Sequence, residues 1–201
     1  MIKYFSLITI FGLLLGGCSL FPPKNEQNIN LPSSISMISS TPSATSSSIS
    51  PSSPASSEPV VSLKTKNGEI LIKLYRNLTP NTVSNFIQKA DSGFYNNLTF
   101  HRVIADFMAQ GGDPTGTGTG GNRQISELNS IPFKRGSLGL ARTPDTKEYS
   151  NDSQFFICFS TSGCQHLTGD YVNFGEVISG LEVLDLIQQG DKIISLSTNT
   201  K

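Results

Sequence analysis

The sequence predicts a mainly β domain, a closed antiparallel barrel with α-helices over its ends. Two observations indicate this fold class. Many short runs rich in β-branched and aromatic residues are separated by glycine and proline, and only two segments show apolar residues at helical spacing. The predicted domain covers residues 59–201, because the composition of the preceding residues does not suit a packed core.

The domain is predicted to open with a β-hairpin. The runs Val60–Thr65 and Glu69–Tyr75 flank Lys66-Asn67-Gly68, and Asn-Gly readily adopts the positive φ angles of a tight hairpin turn. Six further strands are predicted downstream: Leu98–Ile104, Phe107–Gly111, Ser137–Ala141, Gln154–Phe159, Asn173–Ile178 and Ile193–Ser197.

Two helices are predicted from apolar spacing and end signals. Thr79 is the expected N-cap of the first, Pro80 occupies its first turn, and Gly93 ends it. The second is expected over residues 181–188, between Gly180 and Gly190.

The first 17 residues are interpreted as a secretory signal of the lipoprotein type. Lys3 precedes an apolar run of about a dozen residues, which is shorter than the roughly 20 that a membrane span needs. The run ends in Leu15-Gly16-Gly17-Cys18, which resembles the lipobox of bacterial lipoproteins. That resemblance implies cleavage before Cys18, attachment of a diacylglycerol to its sulfur with palmitate among the acyl chains, and a location outside the cytoplasm at a bacterial membrane. The alternative is an ordinary cleavage site followed by a chance cysteine.

Residues 18–58 are predicted to be a lipidated N-terminus followed by a disordered tether. Of the 25 residues from 33 to 57, 14 are serine, and none is charged or aromatic. A glycosylated stalk is the alternative for this Ser/Thr/Pro stretch.

Charge and cysteine usage exclude two classes of function. The 15 basic and 15 acidic side chains balance, so no basic surface indicates a nucleic-acid partner. Cys158 and Cys164 do not have metal-ligand spacing, and no metal site is predicted. The two thiols could form a disulfide, but Cys158 lies in an apolar run, which favours the role of a small buried hydrophobe.

The segment from Phe100 to Gly118 carries the most chemical information. It sets Arg102 and Gln110 among Phe107 and Met108. A permanently charged guanidinium amid large apolar side chains suits a pocket that binds an apolar group beside a hydrogen-bond donor.

This segment resembles the signature of the cyclophilins. The resemblance extends essentially from Val60 to the C-terminus and continues through Gly136–Ala141, Ser153–Ile157 and His166–Gly175. It implies an eight-stranded antiparallel β-barrel capped by two α-helices. It also implies a peptidyl-prolyl cis-trans isomerase that acts without a cofactor on proline-containing polypeptides during folding outside the cytoplasm, and we expect a monomer.

The resemblance also implies roles for single residues. Arg102 matches the catalytic arginine. The walls of the proline pocket match Phe107, Met108, Phe156 and Leu167, and the polar groups beside it match Gln110 and Gln154. The strand whose main chain holds the peptide matches Gly139 and Leu140, and the pocket rim matches Tyr171.

Three positions depart from the best-known cyclophilin pattern. His166 stands where many members have Trp, Tyr171 stands where many have His, and Leu140 replaces a frequent Asn. Without the indole, binding of cyclosporin is expected to be weak. The alternative function is a chaperone module that binds proline peptides with little catalysis.

Overall fold

The computed structural model describes residues 58–198. The predicted signal peptide, Cys18 and nearly all of the predicted tether lie outside these residues. No helix within residues 58–198 has the length and apolar character needed to cross a membrane.

Eight strands form one antiparallel sheet in the order β10-β1-β2-β9-β6-β8-β4-β3. Their bounds are β1 Val60–Thr65, β2 Gly68–Leu74, β3 Arg102–Ile104, β4 Met108–Gly111, β6 Ser137–Leu140, β8 Phe155–Cys158, β9 Asn173–Ser179 and β10 Ser195–Ser197. A separate two-stranded sheet pairs β5 Arg123–Ile125 with β7 Tyr149–Asn151. The mainly β prediction and its eight antiparallel strands are confirmed.

The closed form of the barrel needs a correction. Among the described residues the edge strands β3 and β10 share no ladder, and one isolated bridge, Thr99 to Lys192, joins the chain segments beside them. Backbone hydrogen bonds from Phe100 N to Asp191 O and from Ile193 N to Leu98 O, each 2.8 Å, support this bridge. Residues 98–100 therefore pair irregularly with residues 191–193. For this reason the predicted strand Leu98–Ile104 is a regular strand only over its last three residues.

The first helix is confirmed as α1, Pro80–Asp91, with Thr79 at its N-cap position as predicted, but the Thr79 side chain does not accept a hydrogen bond from the first turn. The Thr79 hydroxyl donates backwards to Tyr75 O (3.0 Å) and makes no cap hydrogen bond. Instead the Glu127 carboxylate accepts from the backbone N–H groups of Asn81 (3.1 Å) and Thr82 (2.8 Å). A carboxylate at this end also suits the helix dipole.

The remaining helical segments are short. The predicted second helix is reduced to α3, Leu181–Leu184, because the chain then turns, and the Asp191 carboxylate accepts from Gln188 N (3.1 Å). An unpredicted turn, α2 Thr161–Cys164, is followed by a 3₁₀ turn over Gln165–Leu167.

Side chains on the two faces of the sheet belong to two apolar clusters. Along β8, Phe155 and Ile157 pack in the main core, which also holds Phe86 and Phe174, whereas Phe156 lies in a second cluster on the outer face. The second cluster consists of Met108, Phe133, Phe156, Cys158, Cys164 and Leu167, with Phe107 and Tyr171 packed against it.

Cys158 and Cys164 form a disulfide within this second cluster, with their Cα atoms 6.2 Å apart. The expectation that Cys158 is only a small buried hydrophobe is thus corrected, because both cysteines are buried and bonded to each other. The bond became possible because α2 turns the chain back over the end of β8. It ties the 3₁₀ turn carrying Leu167 to the sheet.

Candidate active site

Strand register brings the predicted site residues into one row on the outer face of the sheet. Arg102 on β3 pairs with Gln110 on β4, Gln110 pairs with Phe156 on β8, and Phe156 pairs with Gly139 on β6. Because side chains on one face repeat every two residues, Met108 on β4 lies in the next row of the same face. Four strands therefore build the site from residues distant in sequence.

A cavity of about 190 Å³ opens over this row. It is lined by Arg102, Phe107, Met108, Gln110, Ala141, Arg142, Phe156, His166, Leu167 and Tyr171. Seven of the ten predicted catalytic and substrate-binding residues are among them. A small hollow that combines large apolar side chains with hydrogen-bonding groups suits a ring such as that of proline beside its polar amide.

The Arg102 guanidinium lies at the edge of this cavity and is held loosely. Its Nη1 donates to Gln110 Oε1 (3.3 Å) and lies 3.9 Å from Met108 Sδ, while its Cζ lies 6.0 Å from the centroid of the Phe107 ring. No carboxylate within residues 58–198 forms an ion pair with it. Most of its N–H donors are therefore available to a bound peptide.

Gln154 anchors the hydrogen-bond chain that positions Arg102. Gln110 Nε2 donates to Gln154 Oε1 (2.9 Å), and Gln154 Nε2 donates to the carbonyls of Gly118 (3.1 Å) and Gly120 (2.8 Å). Gln154 is only 3 % exposed, so these partners replace the water that its amide would otherwise bind. The predicted Gln154 is thus joined to the site through Gln110 rather than through the small cavity itself.

The aromatic walls of the cavity support one another. The Phe156 ring stacks on Phe133 (5.6 Å between centroids) and meets Tyr171 edge-on (5.8 Å). The His166 ring packs against Phe107, with 5.7 Å between the ring centroids. At this position the imidazole forms a smaller wall than the indole that many cyclophilins have.

Gly139 and Leu140 do not lie where the sequence predicted. The Leu140 side chain points into the main core, and its backbone N–H donates to Val172 O (3.1 Å). Gly139 lies beneath the Phe156 ring. The cavity is lined instead by Ala141 and Arg142, the first two residues after the end of β6. Beyond the strand, the alternation of its two faces no longer determines where a side chain points.

Arg142 is the residue that sequence reasoning missed. Within residues 58–198 its backbone N–H and C=O form no hydrogen bond, so both are available to a peptide. The only local signal would have been its place directly after a buried strand, in line with the row of site residues.

A second cavity of about 400 Å³ adjoins the first and shares Gln110, Ala141 and Arg142 with it. Its lining is mostly polar, from the loop 118–123, the β7 residues and the predicted site residue Gln154. The two cavities meet at these three residues and are together called the groove.

His101 directly precedes Arg102 in the chain and is partly buried. Burial lowers the pKa of its imidazole, and the nearby Arg102 cation acts in the same direction, against the opposing effect of Asp113. Burial therefore favours the neutral form of this imidazole next to Arg102.

Comparison with known proteins decides the family. Residues 60–199 match the sequence profile of the family described as cyclophilin type peptidyl-prolyl cis-trans isomerase/CLD. The chain belongs to the cyclophilin family. It is a peptidyl-prolyl cis-trans isomerase of this type, as the resemblance of the sequence implied.

Relatives of this cyclophilin come from distant organisms. It is 48% identical over 141 residues to a peptidyl-prolyl cis-trans isomerase of Helicobacter pylori, an alignment that covers 67% of this chain and 83% of that protein. It is 40% identical over 142 residues to one of Synechococcus elongatus, which covers 69% and 94%. The crystal structure of a Cryptosporidium parvum cyclophilin type isomerase is 32% identical and superposes with a TM-score of 0.65 over 70% of this chain and 96% of that one.

Proposed function

We propose that this cyclophilin accelerates Xaa-Pro isomerisation in proteins that fold outside the cytoplasm, as a monomer held at a bacterial membrane by a lipid on Cys18. The chemistry and the location have separate support, and each is tested separately.

The chemistry starts from the resonance of the amide. An Xaa-Pro bond must lose that resonance to rotate, over a barrier of about 18–20 kcal/mol. As the bond twists, the lone pair becomes localised on the prolyl nitrogen. A donor aimed at this nitrogen then binds the transition state more tightly than either planar isomer, and each 1.36 kcal/mol of this difference is about tenfold in rate.

In this proposal Arg102 is that donor. Its guanidinium lies at the edge of the small cavity beside Gln110, and its N–H groups have weak partners of their own. The apolar walls formed by Phe107, Met108 and Phe156 hold the pyrrolidine ring while the acyl side rotates. A second structure of the Cryptosporidium parvum protein, 31% identical over 71% of this chain and with a TM-score of 0.64, was determined in the presence of the dipeptide Ala-Pro, which supports a proline peptide as the ligand here.

Refolding of a protein limited by a trans-to-cis proline step distinguishes catalysis from mere binding. The uncatalysed step takes tens to hundreds of seconds. We expect substoichiometric amounts of the cyclophilin to raise its rate in proportion to their concentration. A module that only captures proline segments would leave the rate unchanged or lower it.

The location is supported by the sequence of the N-terminus, with an apolar run of signal length directly before Leu15-Gly16-Gly17-Cys18. Two or more acyl chains would anchor the protein stably, whereas one would not. The Ser-rich residues 33–57 would then separate the isomerase from the membrane surface.

Metabolic labelling with palmitate in a bacterial host tests this anchor. The full chain and its Ser19→Ala variant should incorporate label and sediment with membranes, and Cys18→Ser should do neither. Labelling of the Cys18→Ser variant, or an unlabelled full chain, would contradict the proposed anchor.

A further inference from the structure

The groove formed by the two cavities carries an excess of positive charge. Three arginines line it, Arg102, Arg123 and Arg142, and no carboxylate does. This is unexpected from composition, because the basic and acidic side chains of the whole chain balance at 15 each. The charge is thus concentrated where a substrate would lie.

Arg142 is held rigidly at the junction of the cavities by neutral groups. Its Nε donates to the backbone carbonyl of Asp170 (2.9 Å), and its Nη1 donates to the carbonyls of Thr143 and Thr146 (3.0 Å each). The Tyr171 ring lies 4.4 Å from its Cζ. These contacts fix the guanidinium without neutralising it, and within residues 58–198 its Nη2 has no hydrogen-bond acceptor.

The carboxylates nearest the rim already have cations of their own. Asp170 pairs with Lys147, and Asp145 pairs at 3.5 Å with Arg123. Counted together, these two pairs are neutral. Both carboxylates also lie within electrostatic reach of Arg142, but two carboxylates face three cations, so one net positive charge remains where the 400 Å³ cavity meets the 190 Å³ cavity.

From this arrangement we infer that the larger cavity binds an acidic side chain of the substrate, and that Arg142 is the residue that selects it. The inference rests on the proposed placement of proline in the smaller cavity. Because the two cavities share lining residues, a side chain within about three residues of the proline, at roughly 3.3–3.6 Å per residue, reaches the larger one. The preferred substrates are then Xaa-Pro segments with Asp or Glu close to the proline.

The lining of the larger cavity argues against apolar and basic alternatives. Its apolar side chains are limited to Ala141 and the Tyr149 ring, among amides, hydroxyls and glycines. An aliphatic side chain would cover these polar groups without giving them hydrogen-bond partners, which is costly. A lysine would face Arg142, and like charges at close range suppress binding.

Matched proline peptides test the inference. Glu, Gln or Lys is placed at each of the three positions before and after the proline, and kcat/KM is measured by NMR exchange spectroscopy at low ionic strength. At one or more positions we expect Glu to exceed Gln by about two- to fivefold, the range of partly exposed ion pairs, and Lys to fall below Gln. The ratio should approach one near 1 M salt, where the screening length is about 3 Å.

Variants assign the ratio to Arg142. The Glu/Gln ratio should fall to about one in Arg142→Gln and stay above one in Arg142→Lys, which keeps the charge. Arg76→Gln removes an exposed arginine that lines neither cavity and should leave the ratio unchanged. Because the ratio compares two peptides on one enzyme, a change in overall activity does not affect it.

The outcomes separate this inference from the proposed site. Acceleration of all peptides with a Glu/Gln ratio of one at every position, or an unchanged ratio in Arg142→Gln, would overturn the inference alone. Failure to accelerate any of the peptides would overturn both the inference and the proposed site.

Discussion

Replacing Gly139 by alanine should displace a wall of the proline pocket from beneath. A Cβ atom at this position would lie 2.8 Å from Cε1 of Phe156 and 2.8 Å from Cε1 of Phe133, and nearer still to Cζ of Phe156. Ordinary van der Waals contact begins at 3.4 Å, so the rings must move by at least the 0.6 Å difference. The φ angle of Gly139 is not positive, and the substitution therefore tests packing without backbone strain.

The expected cost follows from this displacement. Overpacking of a close-packed site destabilises by about 1–3 kcal/mol. A shift of about 1 Å in a wall that positions the substrate can lower activity by about a hundredfold, and we expect a loss of ten- to a hundredfold in kcat/KM. Urea unfolding gives the stability, and exchange spectroscopy on a proline peptide gives the activity.

A second substitution checks that the effect arises from Phe156. Gly139→Ala combined with Phe156→Leu should lose less stability than the sum of the two single variants, because the shorter side chain leaves room for the methyl group. Additive losses, or a Gly139→Ala variant with wild-type stability and activity, would refute the packing account of Gly139.

Three further predictions concern the surroundings of the site. Gln154→Ala should lower kcat/KM about tenfold or more, because a misplaced Arg102 loses its alignment with the prolyl nitrogen. Cys164→Ser should destabilise the domain by about 2 kcal/mol, the chain-entropy value for a closed loop of this length, in the absence of reductant. Glu176→Gln should lower stability at neutral pH by about 1–3 kcal/mol, because ion pairs with Lys134 (2.8 Å) and Lys73 (2.9 Å) lower the pKa of Glu176 to about 2.

Each of these predictions has its own control. Gln154→Glu keeps the acceptor for Gln110 but replaces the donor to two carbonyls with a carboxylate, so it should also lose activity; wild-type activity in both Gln154 variants would exclude the positioning role. Dithiothreitol should destabilise the wild type and leave Cys164→Ser unaffected. An equal response to the reductant in both would contradict the role of the disulfide.

The pH dependence of Glu176 has a defined sign. Its pKa is lower in the folded state than the ordinary value of 4.5, so the stabilisation is present above pH 4.5 and is lost as the pH falls towards 2. The stability difference between wild type and Glu176→Gln should shrink over that window. A difference that is constant from pH 6 to pH 2.5 would be inconsistent with these ion pairs.

Local sequence patterns were sufficient to predict most strands of the main sheet, but not the short polar strands or the contacts at the ends of elements. Runs such as Phe155–Cys158 are apolar on both faces because each face packs against a different cluster, which marks them clearly in the sequence. β5 and β7 were missed, since three-residue polar strands have no recognisable period. The carboxylate that accepts from the first turn of α1 was also beyond local reasoning, because Glu127 lies 45 residues from Thr82.

The candidate site divides in the same way. Residues inside strands, such as Arg102, Gln110 and Phe156, could be assigned from motif order because the strand register sets which face they occupy. The assignment of Gly139 and Leu140 to the site was displaced by two positions, because the residues that line the cavity are Ala141 and Arg142. These two residues lie after the strand has ended. The disulfide depended on the α2 turn, which no apolar spacing in the sequence indicated.

The catalytic role of Arg102 is tested most directly by exchange spectroscopy on one proline peptide with wild type, Arg102→Ala and Arg102→Lys. We expect kcat/KM to fall by about a hundredfold or more in the alanine variant, a loss of roughly 3 kcal/mol of transition-state stabilisation, with the fold retained. Lysine should recover only part of this, because its ammonium does not reproduce the planar guanidinium. An alanine variant within twofold of wild type would mean that the donor to the twisted bond is another group.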